Sequence, residues 1–479
     1  MFFGAAAEQF RKTISGSVLM PFSRDHDEVK AYHQAREVFN HAIDHRPQVI
    51  VRCKTPQDVV HSLQFAQDQQ LEFSIRAGGH NACGFSVRDQ GLVIDLSQMR
   101  DFRFDPEQRI ARLQPGCGWR MLEPASYVRH GFQENGELCG LVATGGDCPD
   151  VLNTGFSLGG GHGLLGRQFG LGCDNILNAE IVMSDGRILQ ANGKENADLF
   201  WALRGGGCGN FGVVTALDFR LHALPKTVLA GYMEWPLDQA AEVMKHYRDI
   251  FLDEKTPDRL SFYTAFTRTP YPHGQPVLNI HGLYIGSPRE GENWVQKLQK
   301  VGKPLHQQME PCSYYDFITA LGDEVVYGLR SKWKGGFFKQ DGFSDEAIEL
   351  IVDRFGRAPS PHSMCRFDLL GKGVIEKVPP TATAYVHRNT PFYISLLSLW
   401  EDPRHDDRNR RWIDEFHQDL APFFNGRVYQ NYVDLELEDW PEAYYGENYP
   451  RLQQIKRLYD PQNLFRHPQS IRLPDSSPL

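Results

Sequence analysis

Two glycine-rich segments, each with one nucleophilic side chain beside it, constrain the fold of this chain most strongly. The first is Arg76–His80, which ends an apolar run and has glycines at positions 78 and 79. The second is Cys148–Gly163, which ends in Gly-Gly-Gly-His-Gly. Glycines let backbone N–H groups approach a diphosphate closely, and a nearby His or Cys can then reach the ring of the same cofactor. Together the segments favour a bound nucleotide cofactor, although neither is specific alone.

Length and charge exclude several classes of protein. With 479 residues the chain is too long for one ordinary core, so two or three domains are expected. The net charge of −9 argues against nucleic-acid binding, which usually needs a basic face. No apolar run approaches the ~20 residues of a membrane span, and residues 1–7 lack the basic start of a secretory signal. We therefore expect a cytoplasmic protein without nucleic-acid or membrane partners.

The cysteines do not resemble a disulfide framework or a metal site. Their number, nine, is odd, and their positions are scattered along the chain. Reduced thiols in a cytosolic protein fit this pattern better. No C-x-x-C pair occurs, so no metal site is expected.

Apolar and turn residues predict alternating strands and helices up to residue 225. Thr55-Pro56 provides a cap and first turn for a helix on which Val59 and Leu63 recur at helical spacing. Asp185-Gly186 forms a hairpin turn between two apolar runs. Strands are predicted at 49–51, 73–76, 92–96, 110–113, 176–183, 187–190 and 211–221, and helices in 1–45, after Thr55, around 119–128 and at 198–203.

From about residue 228 to residue 424 the pattern changes to long alternating runs, such as Leu260–Phe266 and Val277–Ile285. Amphipathic segments near Ala240–Phe251 and Asn293–Val301 lie between such runs. Strands that alternate apolar and polar residues bury one face. This region therefore predicts an antiparallel sheet covered by helices.

Four ordered blocks resemble the berberine-bridge-enzyme-like group within the vanillyl-alcohol-oxidase type of FAD oxidases. The likeness spans roughly residues 46–225 and 385–473, and it is weaker in the middle, as expected of a region that sets substrate choice. Four blocks at compatible spacing are specific, whereas the triple-glycine loop alone would be weak evidence. The blocks are Arg76–His80, Cys148–Asn175, Leu199–Gly212 and Tyr429–Ile471.

The resemblance implies an α+β fold with three parts. Residues 1–225 would form an FAD-binding domain of the PCMH type. Residues 226–425 would form a substrate-binding domain with an antiparallel sheet covered by helices. Residues 426–479 would be a C-terminal segment that returns to complete the FAD-binding domain. The active site is expected between the two domains.

The resemblance also implies FAD as the cofactor, bound covalently through His80 and Cys148. Members with two bonds attach the 8α-methyl of the flavin to the His and C6 of the ring to the Cys. Attachment needs a nucleophilic imidazole and a thiolate, so a positive dipole or a base is expected near Cys148. Leu152 departs from the family pattern, in which glycine is usual there. The other residues that the resemblance implies for FAD are Arg76, Gly78, Gly79, Val151, Gly159, Gly160, Gly161, Gly163, Asn175, Gly212 and Asn431.

Oxidation of an alcohol or phenol also requires removal of the proton from the substrate oxygen. In the family a Tyr of the Tyr-x-Asn-Tyr block often takes this role, which corresponds to Tyr432 here. A free phenol has a pKa near ~10, so a neighbouring donor or cation has to favour the phenolate. Tyr393 is a second candidate, because it falls where some members carry Glu or Gln over the flavin; alternatively it lines a core strand.

The residue that follows the attachment Cys by three positions is a gate for oxygen in the family, with Val in oxidases and Leu in oxygen-insensitive dehydrogenases. Val151 therefore favours an oxidase that transfers electrons from a small-molecule substrate to O2 and produces H2O2. A dehydrogenase with another electron acceptor and a flavoprotein without turnover are the alternatives. The expected substrate is an alcohol, a phenol or a secondary metabolite. The sequence leaves its identity and the oligomeric state open.

Overall fold

A computed structural model gives the architecture of residues 2–23, 25–121, 132–134, 137–322 and 327–474. Within these ranges the strands form sheets of four, five, three and seven strands. Helices cover the largest sheet and pack beside the others. The α+β class predicted from the sequence is therefore confirmed.

The N-terminal part of the chain builds the four-stranded sheet around a parallel centre. Leu92–Asp95 belongs to two parallel pairs, and the first strand joins one edge in the antiparallel sense. Helix Pro56–Asp68 connects the two strands on either side of Leu92–Asp95, and Thr55 and Asp58 form its predicted cap. In spatial order the strands are Ser17–Leu19, Val49–Arg52, Leu92–Asp95 and Phe73–Arg76, and the other helices here are Phe2–Arg11 and His26–Arg36.

The five-stranded sheet is antiparallel, and the C-terminal part of the chain packs against it. Its hairpin turns at Asp185-Gly186, as predicted. Phe200 shares a core with Tyr444 and Leu452, so the end of the chain returns to its first part. The boundaries at residues 225 and 425 stay a prediction. In spatial order the strands are Ile188–Asn192, Ile176–Val182, Val213–Arg220, Ile110–Leu113 and Phe102–Asp105, and the helices are Ala197–Leu203, Trp440–Tyr445 and Tyr449–Tyr459.

The three-stranded sheet is antiparallel and consists of His222–Pro225, Glu137–Val142 and Phe132–Glu134. Of the helix predicted around 119–128, the 3-10 turn Trp119–Met121 is described, and residues 122–131 lie outside the described ranges. The remaining short helices are Asn153–Leu158, Gly166–Phe169, Tyr314–Gly322 and Gly373–Lys377.

The seven-stranded sheet, which we call the large sheet, is antiparallel throughout and has helices on one face. Phe262 and Phe266 point to the helices, whereas Tyr263 and Ala265 point to the opposite face, since side chains alternate along a strand. The predicted helix-covered antiparallel sheet is therefore present. In spatial order its strands are His306–Cys312, Val228–Pro236, Gln275–Tyr284, Leu260–Thr269, Met364–Leu369, Phe392–Trp400 and Arg330–Phe337, and its helices are Leu237–Leu252, Pro288–Leu298, Asp345–Gly356 and Asp406–Leu420.

Strand register aligns the residues of the face opposite the four long helices, which we call the cavity face, in rows that cross the whole sheet. A row forms because paired residues on neighbouring antiparallel strands direct their side chains to the same face. The first row is His306, Glu234, Asn279, Ala265, Arg366, Ser395 and Gly335. The second row is Gln308, Tyr232, His281, Tyr263, Asp368, Tyr393 and Phe337.

Three further features concern membrane-spanning helices, cysteine pairing and metal-binding groups, about which the composition led to expectations. No helix in the described ranges is long and apolar enough to cross a membrane. All nine cysteines are free thiols. In the same part of the chain, no group of three or more His, Cys, Asp or Glu side chains could hold a metal ion.

Candidate active site

A cavity of about 960 Å³ lies between the cavity face of the large sheet and the loops of the first 225 residues. Known ligand pockets measure about 300 to 1,000 Å³, so this cavity is at the upper end of that range. We call the cavity-lining residues within 77–81, 146–156 and 207–212 the loop wall, and those of the large sheet the sheet wall. Residues 429–433 line the cavity as well. The separate sequence blocks therefore meet at one site.

His80 reaches the cavity from the loop that follows strand Phe73–Arg76. Its imidazole stacks on Phe39 with ring centroids 5.0 Å apart, and the ring of Tyr327 lies edge-on at 6.2 Å. Burial lowers the pKa of His80 to about 4. The imidazole is therefore neutral at pH 7 and keeps a nitrogen lone pair for bond formation.

Cys148 lies on the same side of the cavity, where its Sγ is 3.9 Å from the hydroxyl of Tyr327. Burial raises the pKa of the Cys148 thiol, and the neighbouring Asp147 carboxylate raises it further. We expected a positive dipole or a base beside this thiol, and these neighbours include the Asp147 carboxylate but no positive group. The resting side chain is therefore mainly the protonated thiol.

The first glycine motif lines the cavity, but most of the second does not. Gly78 and Gly79 belong to the cavity wall, and Gly79 has the left-handed φ of +77° that glycine adopts easily. By contrast, a Cβ at Gly159 would lie 1.9 Å from Oδ1 of Asn431. Gly159, Gly160, Gly161 and Gly163 are absent from the described cavity lining, and they pack against Asn431, Tyr385, Phe156 and Gly145 respectively. The structure shows close packing of these glycines within the protein, and their role in contacting FAD stays a prediction.

Other glycines give the loop wall its open backbone. A Cβ at Gly155 would meet no atom within 4 Å, and one at Gly209 would meet only a methyl of Ile75. The predicted Gly212 lines the cavity too, together with Gly146 and Gly207. Open backbone beside a large cavity suits a ligand that carries a diphosphate, so these residues fit FAD.

Two predicted FAD residues lie outside the cavity lining. Arg76 donates a hydrogen bond to the carbonyl of Ala35. Asn175 donates to the carbonyls of Phe169 and Leu171 at 3.0 and 2.9 Å. Neither residue is part of the described cavity wall, and both bind neighbouring loops, so their role toward FAD stays a prediction. Asn431, in contrast, lines the cavity, as does Val151 beside Cys148.

Tyr432 faces the cavity and takes part in a buried chain of polar groups that the sequence did not predict. Its hydroxyl donates to Oδ2 of Asp368 at 3.3 Å. Arg366 donates to Oδ1 of Asp368 at 3.0 Å and to Asp147 at 3.3 Å. The guanidinium lies 4.1 Å above the ring of Tyr263, at a distance that suits a cation–π contact. Tyr432, Asp368, Arg366 and Asp147 thus link the sheet wall to the loop wall.

The electrostatics of this chain place the proton on Tyr432 in the resting protein. Burial raises the pKa of Tyr432 well above its ordinary value, although the Arg366 cation acts in the opposite direction. Burial also raises the pKa of Asp368, again against the effect of Arg366. Arg366 is thus a nearby cation of the kind that the sequence argument required, but burial outweighs its effect and the phenolate is not the resting form, while Asp368 accepts the hydrogen bond of the phenol.

Tyr393 lies behind this site and is absent from the described cavity lining. It is buried, and its ring packs against Phe337 at 4.7 Å and Tyr432 at 5.7 Å. This placement fits the alternative that Tyr393 lines a core strand, with Tyr432 close by on the cavity side, and its catalytic role stays a prediction. Two positions along the same strand, Ser395 lines the cavity and its buried Oγ has no partner among the described residues.

Sequence reasoning missed most of the sheet wall, although one signal was present. Arg366 and Asp368 stand two apart in strand Met364–Leu369, between the apolar residues Cys365 and Phe367. Charged residues that alternate with core residues on a strand predict a polar face. The alternation within this strand does not predict that Tyr432 contacts its polar face.

Two family models match the chain. One is described as an FAD binding domain and matches residues 47–192; the other, described as berberine and berberine like, matches residues 428–472. Over 446 residues the chain is 32% identical to the uncharacterized FAD-linked oxidoreductase YvdP of Bacillus subtilis, covering 92% of this chain and 95% of that protein. It is 28% identical over 477 residues to (R)-6-hydroxynicotine oxidase of Paenarthrobacter nicotinovorans, covering 96% and 97%. The fold matches that of Physcomitrella patens BBE-like 1 with a TM-score of 0.86 at 25% identity, covering 98% of this chain and 99% of that one.

Proposed function

Since this chain belongs to the berberine bridge enzyme-like family of FAD-linked oxidoreductases, we propose that it is an oxidase whose FAD is bound covalently through His80 and Cys148. FAD, when bound, supplies the acceptor for a hydride from a substrate carbon. In the proposed reaction a CH–OH group of a small molecule loses a hydride and a proton and becomes a carbonyl. O2 then takes up two electrons and two protons and becomes H2O2.

The hydrogen bond of 3.3 Å between Tyr432 and Asp368 carries this proposal. The Tyr432 oxygen accepts the proton of the substrate hydroxyl while its own proton moves to Oδ2 of Asp368. Tyr432 thus stays neutral, and Asp368 becomes a neutral carboxylic acid. Because burial raises the pKa of Asp368, this carboxylate accepts a proton more readily than an exposed one.

We propose that His80 and Cys148 hold FAD at the loop wall, and the chemistry of the two side chains supports this differently. The neutral imidazole of His80 is available as a nucleophile, since burial lowers its pKa to about 4. The thiol of Cys148 has to lose its proton first, because burial and Asp147 raise its pKa. We propose that the bond at Cys148 forms more slowly than the bond at His80 for this reason.

Two observations favour an oxidase over the alternatives. Val151 lines the cavity beside Cys148, where its small side chain leaves room for O2. The proton acceptor at Tyr432 and Asp368 favours turnover over mere storage of a ligand. A dehydrogenase would share the same reductive half-reaction, so an oxidase and a dehydrogenase differ only in the molecule that accepts the electrons from the reduced flavin.

Oxidation of the reduced protein by air tests the proposal. A panel of alcohols, phenols and sugars is first screened for H2O2, and the best substrate then reduces the flavin without oxygen. Mixing with aerated buffer should restore the oxidised spectrum within seconds and release one H2O2 for each flavin. Reoxidation over minutes, with fast reduction by substrate, would identify a dehydrogenase instead.

A further inference from the structure

We propose that the cavity holds a second binding site, remote from Tyr432, for a protonated amine of the substrate, with Glu234 as the counter-charge. This inference rests on the proposed function and specifies its substrate class. Glu234 lies on strand Val228–Pro236, near one edge of the large sheet, and it lines the same cavity as Tyr432.

Glu234 is a buried carboxylate that the protein solvates but does not neutralise. Only 5% of the residue is exposed. Its Oε1 accepts hydrogen bonds from the hydroxyl of Thr269 at 2.8 Å and the amide of Asn279 at 3.4 Å. No Lys, Arg or His side chain within the described ranges forms an ion pair with it. A buried charge without a partner is costly, so a ligand cation would stabilise this site.

A second acceptor lies beside the carboxylate. Asn279 is 8% exposed, lines the cavity, and has no described partner for its Oδ1. The carboxylate and this amide oxygen both accept hydrogen bonds. An ammonium group has three N–H donors and a positive charge, so it satisfies both groups at once.

The surroundings of Glu234 contain aromatic rings and little free positive charge. Tyr232 and Tyr263 line the cavity on either side of His281 in the second row. Burial lowers the pKa of His281 to about 4, so it is neutral at pH 7. Aromatic faces attract cations, which adds to the preference for an amine.

The other basic residues of this part of the cavity have contacts other than Glu234, and one of them, Arg268, keeps a positive charge that its carbonyl partner does not balance. Arg366 is paired with Asp147 and Asp368. Arg268 donates to the carbonyl of Gly274 at 3.3 Å. His306 pairs with Glu234 in strand register, but its side chain is exposed. None of them forms an ion pair with the Glu234 carboxylate in the described structure.

Strand spacing gives the length of the substrate. Glu234 and Arg366 stand in the first row, three strands apart, with Ala265 and Asn279 between them. Neighbouring strands are about 4.8 Å apart, which separates the two backbones by about 14 Å. The small side chain of Ala265 leaves the path between them open. The substrate is therefore an extended molecule with its oxidised carbon at Tyr432 and its amine roughly 10 to 14 Å away.

Binding of two matched probes to the FAD-loaded, full-length protein tests the inference. The probes are p-tolyloxypropylamine, which is cationic at neutral pH, and p-tolyloxypropionamide, which is neutral but still donates N–H bonds. Neither contains an alcohol. Dissociation constants are measured by calorimetry without oxygen, so the test does not depend on turnover.

We expect the wild-type protein to bind the amine at least about 30-fold more tightly than the amide, because losing one charge of a buried pair has an effect of this size. Glu234→Gln keeps the shape of the side chain and should abolish this preference. Glu310→Gln, on the exposed edge strand of the same sheet, should not. Flavin content and melting temperature show whether each variant is folded.

Equal binding of amine and amide by the wild-type protein would overturn the inference, and this comparison needs no variant. An unchanged amine preference in Glu234→Gln would overturn it as well. Absence of H2O2 with every substrate would contradict the proposed oxidase while the binding ratio could still be measured. Conversely, an active oxidase with a binding ratio near one would contradict only the amine site.

Discussion

The loop wall and the sheet wall line the same cavity but are encoded in different ways. In the loop wall, His80 directly follows Gly79, and Cys148 lies two residues after Gly146. In the sheet wall, Glu234, Arg366 and Ser395 belong to different strands and stand in one row through strand register alone. A slip by one residue would turn a whole strand's polar side chains to the helix-covered face. The cofactor half of the site is thus local in sequence, whereas the substrate half depends on long-range pairing.

The largest decrease in the rate of flavin reduction should come from removing the hydroxyl of Tyr432. In Tyr432→Phe the ring packing is kept, so FAD loading should survive, but flavin reduction should slow by about 10²- to 10⁴-fold, as is typical for loss of a general base. Stopped-flow measurement without oxygen gives this rate directly. Tyr393→Phe is the matched control, since it removes a hydroxyl behind the cavity wall and should change the rate less than about twofold. If Tyr432→Phe reduces its flavin at the wild-type rate and Tyr393→Phe reduces it slowly, Tyr393 is the base and our assignment of the two tyrosines is wrong.

The next largest decrease in the rate of flavin reduction should come from removing the carboxylate that accepts the Tyr432 proton. Asp368→Asn cannot accept the proton of Tyr432, and loss of a charge-assisted hydrogen bond worth about 1.5 to 3 kcal/mol should slow flavin reduction by about 10- to 150-fold.

The pH profile distinguishes this role from a structural one. The carboxylate is the accepting form of Asp368, and burial raises its pKa. The wild-type rate should therefore rise as the pH increases through this raised pKa. The rising part should disappear in Asp368→Asn. A variant that is slow but keeps the wild-type profile would show that Asp368 only supports the structure.

Flavin attachment tests the loop wall. Acid-precipitated wild-type protein should stay yellow, and both His80→Ala and Cys148→Ala should keep FAD through the other bond. The double variant should release all of its FAD on precipitation. Peptide mass spectrometry identifies the attached residues. Quantitative release of FAD from the wild-type protein would contradict covalent attachment at both positions.

The smallest expected effects are changes in folding free energy, and they distinguish a closely packed glycine, Gly159, from one beside open space, Gly155. Gly159→Ala places a Cβ 1.9 Å from Asn431, and overpacking of this kind costs about 1 to 3 kcal/mol of folding free energy. Gly155→Ala meets no atom within 4 Å and should change the stability by less than about 0.5 kcal/mol. Thermal unfolding and flavin content are measured for both. A Gly159→Ala protein with normal stability but little bound FAD would support the contact between Gly159 and FAD that the motif predicts.

Much of the fold was predictable because its signals are local. The Thr55–Asp58 cap and the Asp185-Gly186 hairpin lie where the residue types indicate. The alternation in Leu260–Phe266 indicated a sheet with one covered face, which is present. The order of the seven strands was not predictable, since pairing partners are distant in sequence.

For the active site, the sequence alone was sufficient to indicate the class of cofactor and the cavity positions of His80, Cys148, Val151, Asn431 and Tyr432. Short motifs suffice there because each joins a reactive or small side chain to a flexible turn within a few residues. Tertiary packing excluded Tyr393, Arg76 and Asn175 from the cavity wall and brought Asp368 to Tyr432 and Glu234 to Asn279. Those outcomes depend on burial and on strand register, which are properties of contacts between distant parts of the chain.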